Sequence, residues 1–185
     1  KAKEEKNPLP GIRAYAKPTF FLTAIIVVFY SMDVVMARIL FSPQEAGAYA
    51  IASILGKIIF WGTLPVSKAM FPMSAERQEE KSRKGNVLIN AFSIVIIGIL
   101  LALAVFYSFP EIIIKIFSGE SIAQSASILS YVGISFGLIS IANLVLLYKL
   151  SLNKTRHFAW LSLFILIEIG LLLYFSKDLV QFSIA

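Results

Sequence analysis

Apolar residues in this chain run on for twenty or more positions at a time, broken by short clusters of charge, proline and glycine. Two stretches, 85–110 and 121–148, contain no Asp, Glu, Lys or Arg at all. A bilayer core of about 30 Å is crossed by about 20 apolar residues of helix, so each is long enough to span it. The runs lack strict alternation, which favours helices over strands. Inside lipid, every backbone polar group must be satisfied within its own helix or in a closed barrel. Three further runs carry isolated charges: 18–41 with Asp33 and Arg38, 43–71 with Lys57 and Lys68, and 156–175 with Glu168. The pattern therefore predicts an all-α, polytopic transmembrane bundle of five complete spans (about 18–41, 43–71, 85–109, 121–148 and 156–175). A sixth begins at 179–185 and is cut short.

The punctuation between runs predicts how they join. Pro18 is expected to open the first span. In Ser42-Pro43-Gln44-Glu45, Ser42 suits an N-cap, Pro43 the first helical turn, and Glu45 the return bond of a capping box, so the first hairpin should be very tight. Pro65, with Gly56 and Gly62 nearby, is expected to kink the second span and Pro72 to end or kink its last turn. Pro110 to Phe117 is too short to cross and is expected to lie as an amphipathic turn along the outer interface before Gly119. Residues 73–84 read as a charged connector, and 1–17 as a basic segment preceding the bundle.

Composition agrees. The 185 residues are 58% hydrophobic and 15% charged, against roughly 45–50% and 25% in an ordinary soluble domain, which leaves too little polar surface to face water. The chain has no Cys, which removes disulfides and thiolate chemistry. The charged start leading into Pro8 and Pro10 lacks the form of a secretory signal. A first residue other than Met and an apolar last stretch predict a piece of a longer protein.

The basic residues set the expected orientation. With the N-terminus cytoplasmic, twelve Lys and Arg residues fall in cytoplasmic segments (1–17, 77–84 and 149–156), and only Lys115 and Lys177 fall outside. The expected location is a cell membrane. The formal charge of +6 is thereby accounted for by topology, and no aromatic-interleaved basic surface supports binding to nucleic acid.

Charges inside spans are the candidate site. Insertion scales set roughly 2.5–3.5 kcal/mol against each Asp, Lys or Arg at mid-bilayer, so these groups are expected to face protein or water. Thr23, Tyr30, Asp33 and Ala37 are placed on one face of the first span, and Tyr49, Ser53 and Lys57 recur at i+4 on the second. Counted back from the tight turn at about 1.5 Å per residue, Asp33 lies about 12 Å and Lys57 about 20 Å deep, within reach of each other. A structural ion pair and a substrate or ion-coupling site are both open readings. Arg38 and Lys68, near span ends, are expected to snorkel. Glu168 is expected to be protonated or paired with another helix, with proton or cation coupling as the sharper reading. On the fourth span, Ala126, Ser130, Gly133, Gly137 and Ser140 form a small-residue stripe suited to close helix packing. Asn143 is a weaker pointer to a cavity. His157, beside Lys154, Arg156 and Trp160, reads as an interfacial anchor, since no second His or Cys exists to complete a metal site. No cofactor and no catalytic residue is expected.

The order and spacing of Asp33-Val34-Val35-Met36-Ala37-Arg38, Phe41 to Tyr49, the Pro65 span end, and Pro110-Glu111-Ile112-Ile113-Ile114 leading to Phe117-Ser118-Gly119 resemble the second half of a polysaccharide or lipid-linked oligosaccharide flippase. That family belongs to the superfamily that also holds multidrug and toxin extrusion transporters. The resemblance covers nearly the whole chain. It implies one lobe of a two-lobe, alternating-access transporter, partnered by membrane lipids, a missing N-terminal lobe and a lipid-linked glycan pyrophosphate. It further implies substrate binding by Lys57 and Arg38 and ion coupling by Asp33 and Glu168. The readings beside it are a drug or cation antiporter of the same superfamily, a membrane enzyme of glycan assembly, and a non-transporting scaffold.

Overall fold

A computed structural model describes residues 9–76, 84–152 and 161–184. All regular structure among them is helical: α1 (Leu9–Leu40), α2 (Pro43–Glu76), α3 (Lys84–Ser108), α4 (Pro110–Ser118), α5 (Ala123–Ser151), α6 (Leu161–Tyr174) and α7 (Leu179–Ile184). Four of them contain segments long and apolar enough to cross a membrane: Thr19–Leu40, Pro43–Ala75, Asn86–Ser108 and Ala123–Ser151. The described part of the expected fifth span, α6, has 14 residues, about 21 Å at 1.5 Å per residue and short of a bilayer core. The remainder of that span, with His157, Lys154, Arg156 and Trp160, lies outside the described residues. So do most of the 73–84 connector and residues 1–8 of the N-terminal segment.

The α1–α2 hairpin closes through two residues, Phe41 and Ser42, because the capping box forms. The Ser42 backbone N–H and hydroxyl donate to the Glu45 carboxylate at 3.1 and 2.7 Å, and the Glu45 N–H returns to the Ser42 hydroxyl at 3.4 Å. Two expectations about proline need correction. Helix α1 already begins at Leu9 and runs through position 18, so Pro18 does not start the helix, although the membrane-length apolar segment begins beside it at Thr19; Pro10, in the first turn where an N–H has no helical partner, takes the starting place. Pro72 does not end α2, which continues to Glu76 with both Pro65 and Pro72 inside it. A helix tolerates such prolines in an apolar setting when neighbouring helices hold it, and α2 is the most enclosed of the segments together with α5.

Helices α2 and α5 form the spine and run parallel. The Ser125 hydroxyl donates to the Ala48 carbonyl at 2.8 Å near their N-terminal ends, and Leu150 packs with Leu22 and Phe71 at the other. On one side of the spine, α3 and α4 enclose a core that includes Leu55, Ile59, Val95, Ile114, Leu129 and Leu144. On the other, α1, α6 and α7 enclose Ala37, Tyr49, Phe60, Val132, Phe136 and Phe182.

Glycines set the closeness of these contacts. A Cβ on Gly56 of α2 would stand 2.7 Å from Phe136 Cδ2 and 2.9 Å from Val132 Cγ1 of α5. Gly133 and Gly137 of α5 face α3, where a Cβ would meet Leu103 and Phe106 at 3.0 Å and Ile99 at 2.8 Å. The small-residue stripe is thus a packing surface for α3. The outer faces are apolar and uncovered: Ile94, Ile97, Leu101 and Val105 on α3, Val27 and Ile39 on α1, and Leu166 and Leu173 on α6 are exposed. So large an apolar surface suits lipid better than water, and the bundle is compatible with a multi-pass membrane protein.

Candidate functional site

Asp33 leaves α1 about two turns before the hairpin, and α2 carries Tyr49, Ser53 and Lys57 on the face that α1 covers. All four are buried. Ser53 Oγ donates to Asp33 Oδ2 at 2.5 Å and Tyr49 Oη to the same oxygen at 3.4 Å, while Lys57 Nζ donates to Oδ1 at 3.3 Å. The Lys57 ammonium also lies 4.8 Å from the centre of the Tyr30 ring and 5.4 Å from that of Phe136. Desolvated cation–π contacts of this kind contribute on the order of 2 kcal/mol. The ammonium is therefore held by one carboxylate and two aromatic rings, with its charge met inside the bundle.

The cluster is not sealed. Asp33 and Tyr49 line a cavity of about 320 Å3 whose other walls come from α5 (Ser135, Phe136), α6 (Phe164, Glu168) and α7 (Phe182, Ser183). Glu168 Oε2 is buried and has no hydrogen-bond partner among the described residues. The cavity thus joins two carboxyl groups from different helices, one fully engaged and one with an idle oxygen. Phe182, on its wall, packs edge-on against Phe41 and Tyr49, each with ring centres 5.1 Å away. A second cavity of about 260 Å3, almost wholly apolar, shares Phe29, Ile139 and Phe164 with the first and reaches the buried Asn143.

The site residues expected from the sequence divide clearly. Asp33, Lys57 and Glu168 come together at one place. Arg38 does not join them: five residues after Asp33 it points about 140° around the helix axis, and it is exposed. Lys68 is exposed as well, as a snorkelling side chain would be. Thr23 is exposed too, which corrects its placement on the inward face; at 3.6 residues per turn it sits about 80° from Asp33, outside the stripe. Phe136 and Phe182 went unnoticed in the sequence, where nothing but their aromatic character distinguishes them from the apolar residues around them.

The chain matches no protein-family model, no curated protein and no solved structure. What the fold and site define is a class: an all-α bundle suited to the membrane, with an ion pair inside it whose carboxylate lines a cavity.

Proposed function

We propose that the chain is one lobe of a membrane transporter that flips a lipid-linked oligosaccharide or polysaccharide precursor to the outer leaflet by alternating access. The observation that carries this reading is the position of the Asp33–Lys57 pair. Ionisable groups within apolar spans are rare and mark substrate or ion paths, and the carboxylate of this pair lines a cavity that also holds Glu168. The flippase resemblance of the sequence supplies the substrate class.

The geometry gives the reading a specific form. Lys57 is committed to Asp33, so it can meet an anionic pyrophosphate only when another positive charge takes its place at Asp33. A coupling cation or proton entering the cavity would do so, with Glu168 as the second carboxyl beside it. Cation entry and substrate capture are thereby linked through one side chain. Helix α2 carries Lys57 and holds Pro65 and Pro72 within its length; each removes one backbone hydrogen bond of the helix, and such weakened turns would help the bundle rock. Arg38, on the outer face of α1, would meet the second lobe or the headgroups rather than this cavity.

In reconstituted vesicles holding the full-length parent protein, the double variant Asp33→Asn, Lys57→Met is expected to insert and fold but to lose translocation of lipid-linked glycan. Flipping at the parental rate would remove both residues from the mechanism.

The proposed orientation places the N-terminus in the cytoplasm, with five complete spans and the start of a sixth. Support comes from the basic asymmetry and from the packing, which gathers Leu22, Phe71 and Leu150 at one end of the bundle. Cysteines introduced singly at Ser82 and Ser118 of the cysteine-free chain are expected to react with an impermeant maleimide from opposite faces, Ser82 from inside and Ser118 from outside. Labelling of both from one side would refute the arrangement.

A further inference from the structure

Helix α4 is a nine-residue element with three distinct sides. Pro110 occupies its first turn, and Gly119, at φ 80° in the left-handed region, ends it by donating its N–H to the Lys115 carbonyl at 2.9 Å. A further bond, from the Ser118 hydroxyl to the Ile114 carbonyl at 2.8 Å, ties down the last turn. The helix is therefore a defined stop, and its faces have fixed directions.

Counted at 3.6 residues per turn from Pro110, Ile114 projects at about 40°, the polar stripe Ser118, Glu111 and Lys115 at about 80–140°, and Ile112, Ile116 and Ile113 at about 200–300°. Ile114 is 0% exposed and joins the core formed by α2, α3 and α5. One flank of that anchor is polar, with Glu111 and Lys115 exposed and Ser118 half-buried. The opposite flank is apolar: Ile113, at its edge, packs against the core, while Ile116 is 80% exposed and Ile112 is also open. Phe117 and Phe109 add exposed aromatic rings at the two ends.

We propose that α4 lies in the plane of the membrane at its outer boundary, with Ile112 and Ile116 immersed at the level of the upper acyl chains and Glu111 and Lys115 turned to the headgroups and water. The occupant of the apolar flank is lipid, because α4 follows after a single residue from α3, whose exposed residues Ile94, Ile97, Leu101 and Val105 present an apolar face suited to lipid. A helix with one apolar and one charged flank is stable at such a boundary, where both can be satisfied. Aromatic side chains favour the same depth. Fastened by Ile114, α4 would act as a float that fixes how deep the bundle sits, a role that does not depend on the transport reading.

Replacing the two native tryptophans, Trp61 and Trp160, with Phe leaves a silent background for single reporters. In vesicles containing phosphatidylcholine brominated near the headgroup end of the acyl chains, tryptophan introduced as Ile116→Trp, or as Ile112→Trp, is expected to be quenched at least about twofold, and less by lipid brominated at the chain ends. Glu111→Trp is expected to escape both lipids and to respond to aqueous iodide. Iodide quenching at 112 and 116 would overturn the proposal by placing the flank in water. A blue-shifted emission at both positions with no response to either brominated lipid would overturn it equally, by placing protein over the flank, from a second copy or another lobe.

Discussion

Lys57→Met is expected to destabilise the purified bundle by about 3–5 kcal/mol, the usual consequence of removing one partner of a buried pair. It leaves the buried Asp33 carboxylate with only the hydroxyls of Ser53 and Tyr49. Asp33→Asn is expected to fall in the same range for the complementary reason: Tyr30 and Phe136 remain around the ammonium, but ring faces replace only part of a carboxylate's attraction. The double variant should regain most of what either single change loses. Its methionine can still lie against the two rings, where a thioether packs favourably, and its asparagine can still accept from Ser53. Stability read by denaturant titration in detergent, with the four proteins arranged as a double-mutant cycle, checks this. Additive losses would mean that the two residues stabilise the bundle independently and that their 3.3 Å contact carries no energy. Combined with the vesicle experiment, the cycle separates a structural pair, for which translocation recovers with stability, from a pair that also works on the substrate.

The parts of this site that lie on neighbouring helices joined by a short turn were legible in the sequence. Ser42, Pro43 and Glu45 fix the hairpin, the hairpin fixes the register of α1 against α2, and the i+4 spacing of Tyr49, Ser53 and Lys57 then aims all three at Asp33. Only local chemistry is needed for that chain of steps. Glu168 was legible as an unusual residue but not as a neighbour of Asp33, because its position depends on how α6 packs against α1 across more than a hundred intervening residues. Phe136 was invisible for a different reason. Its contact with Lys57 follows from the approach of α5 to α2, and that approach is set by Gly56, which reads in the sequence as an accessory to the Pro65 kink. The prolines misled in the same direction twice. Pro18 and Pro72 have the local signature of helix boundaries, yet both helices continue through them, as a helix in an apolar setting does when breaking it would expose backbone groups.

The α2–α5 seam gives the second large effect. Gly56→Ala is expected to cost about 1–3 kcal/mol, the usual range for overpacking a close contact, and Gly56→Leu more. The added Cβ would meet Phe136 Cδ2 at 2.7 Å and Val132 Cγ1 at 2.9 Å, with the Val132 carbonyl oxygen at 3.3 Å behind them. Rings and methyls can shift, but the carbonyl belongs to the α5 backbone, so the helices themselves must part. Gly62 and Gly98 provide the control. Each has open space where a Cβ would go, and alanine there should be neutral or slightly stabilising, since alanine favours a helix over glycine by about 1 kcal/mol. Phe136 makes the test more specific, because it touches both Gly56 and the Lys57 ammonium. Phe136→Val removes the nearest atom from the path of the new Cβ and should recover part of the loss in a Gly56→Ala background, although the same change in the parental chain is destabilising through the cavity and the lost ring contact. Denaturant titration of the single and double variants measures that coupling. If Gly56→Ala behaves like Gly98→Ala, the two central helices stand farther apart than described, and Phe136 cannot form the wall that holds Lys57 against Asp33.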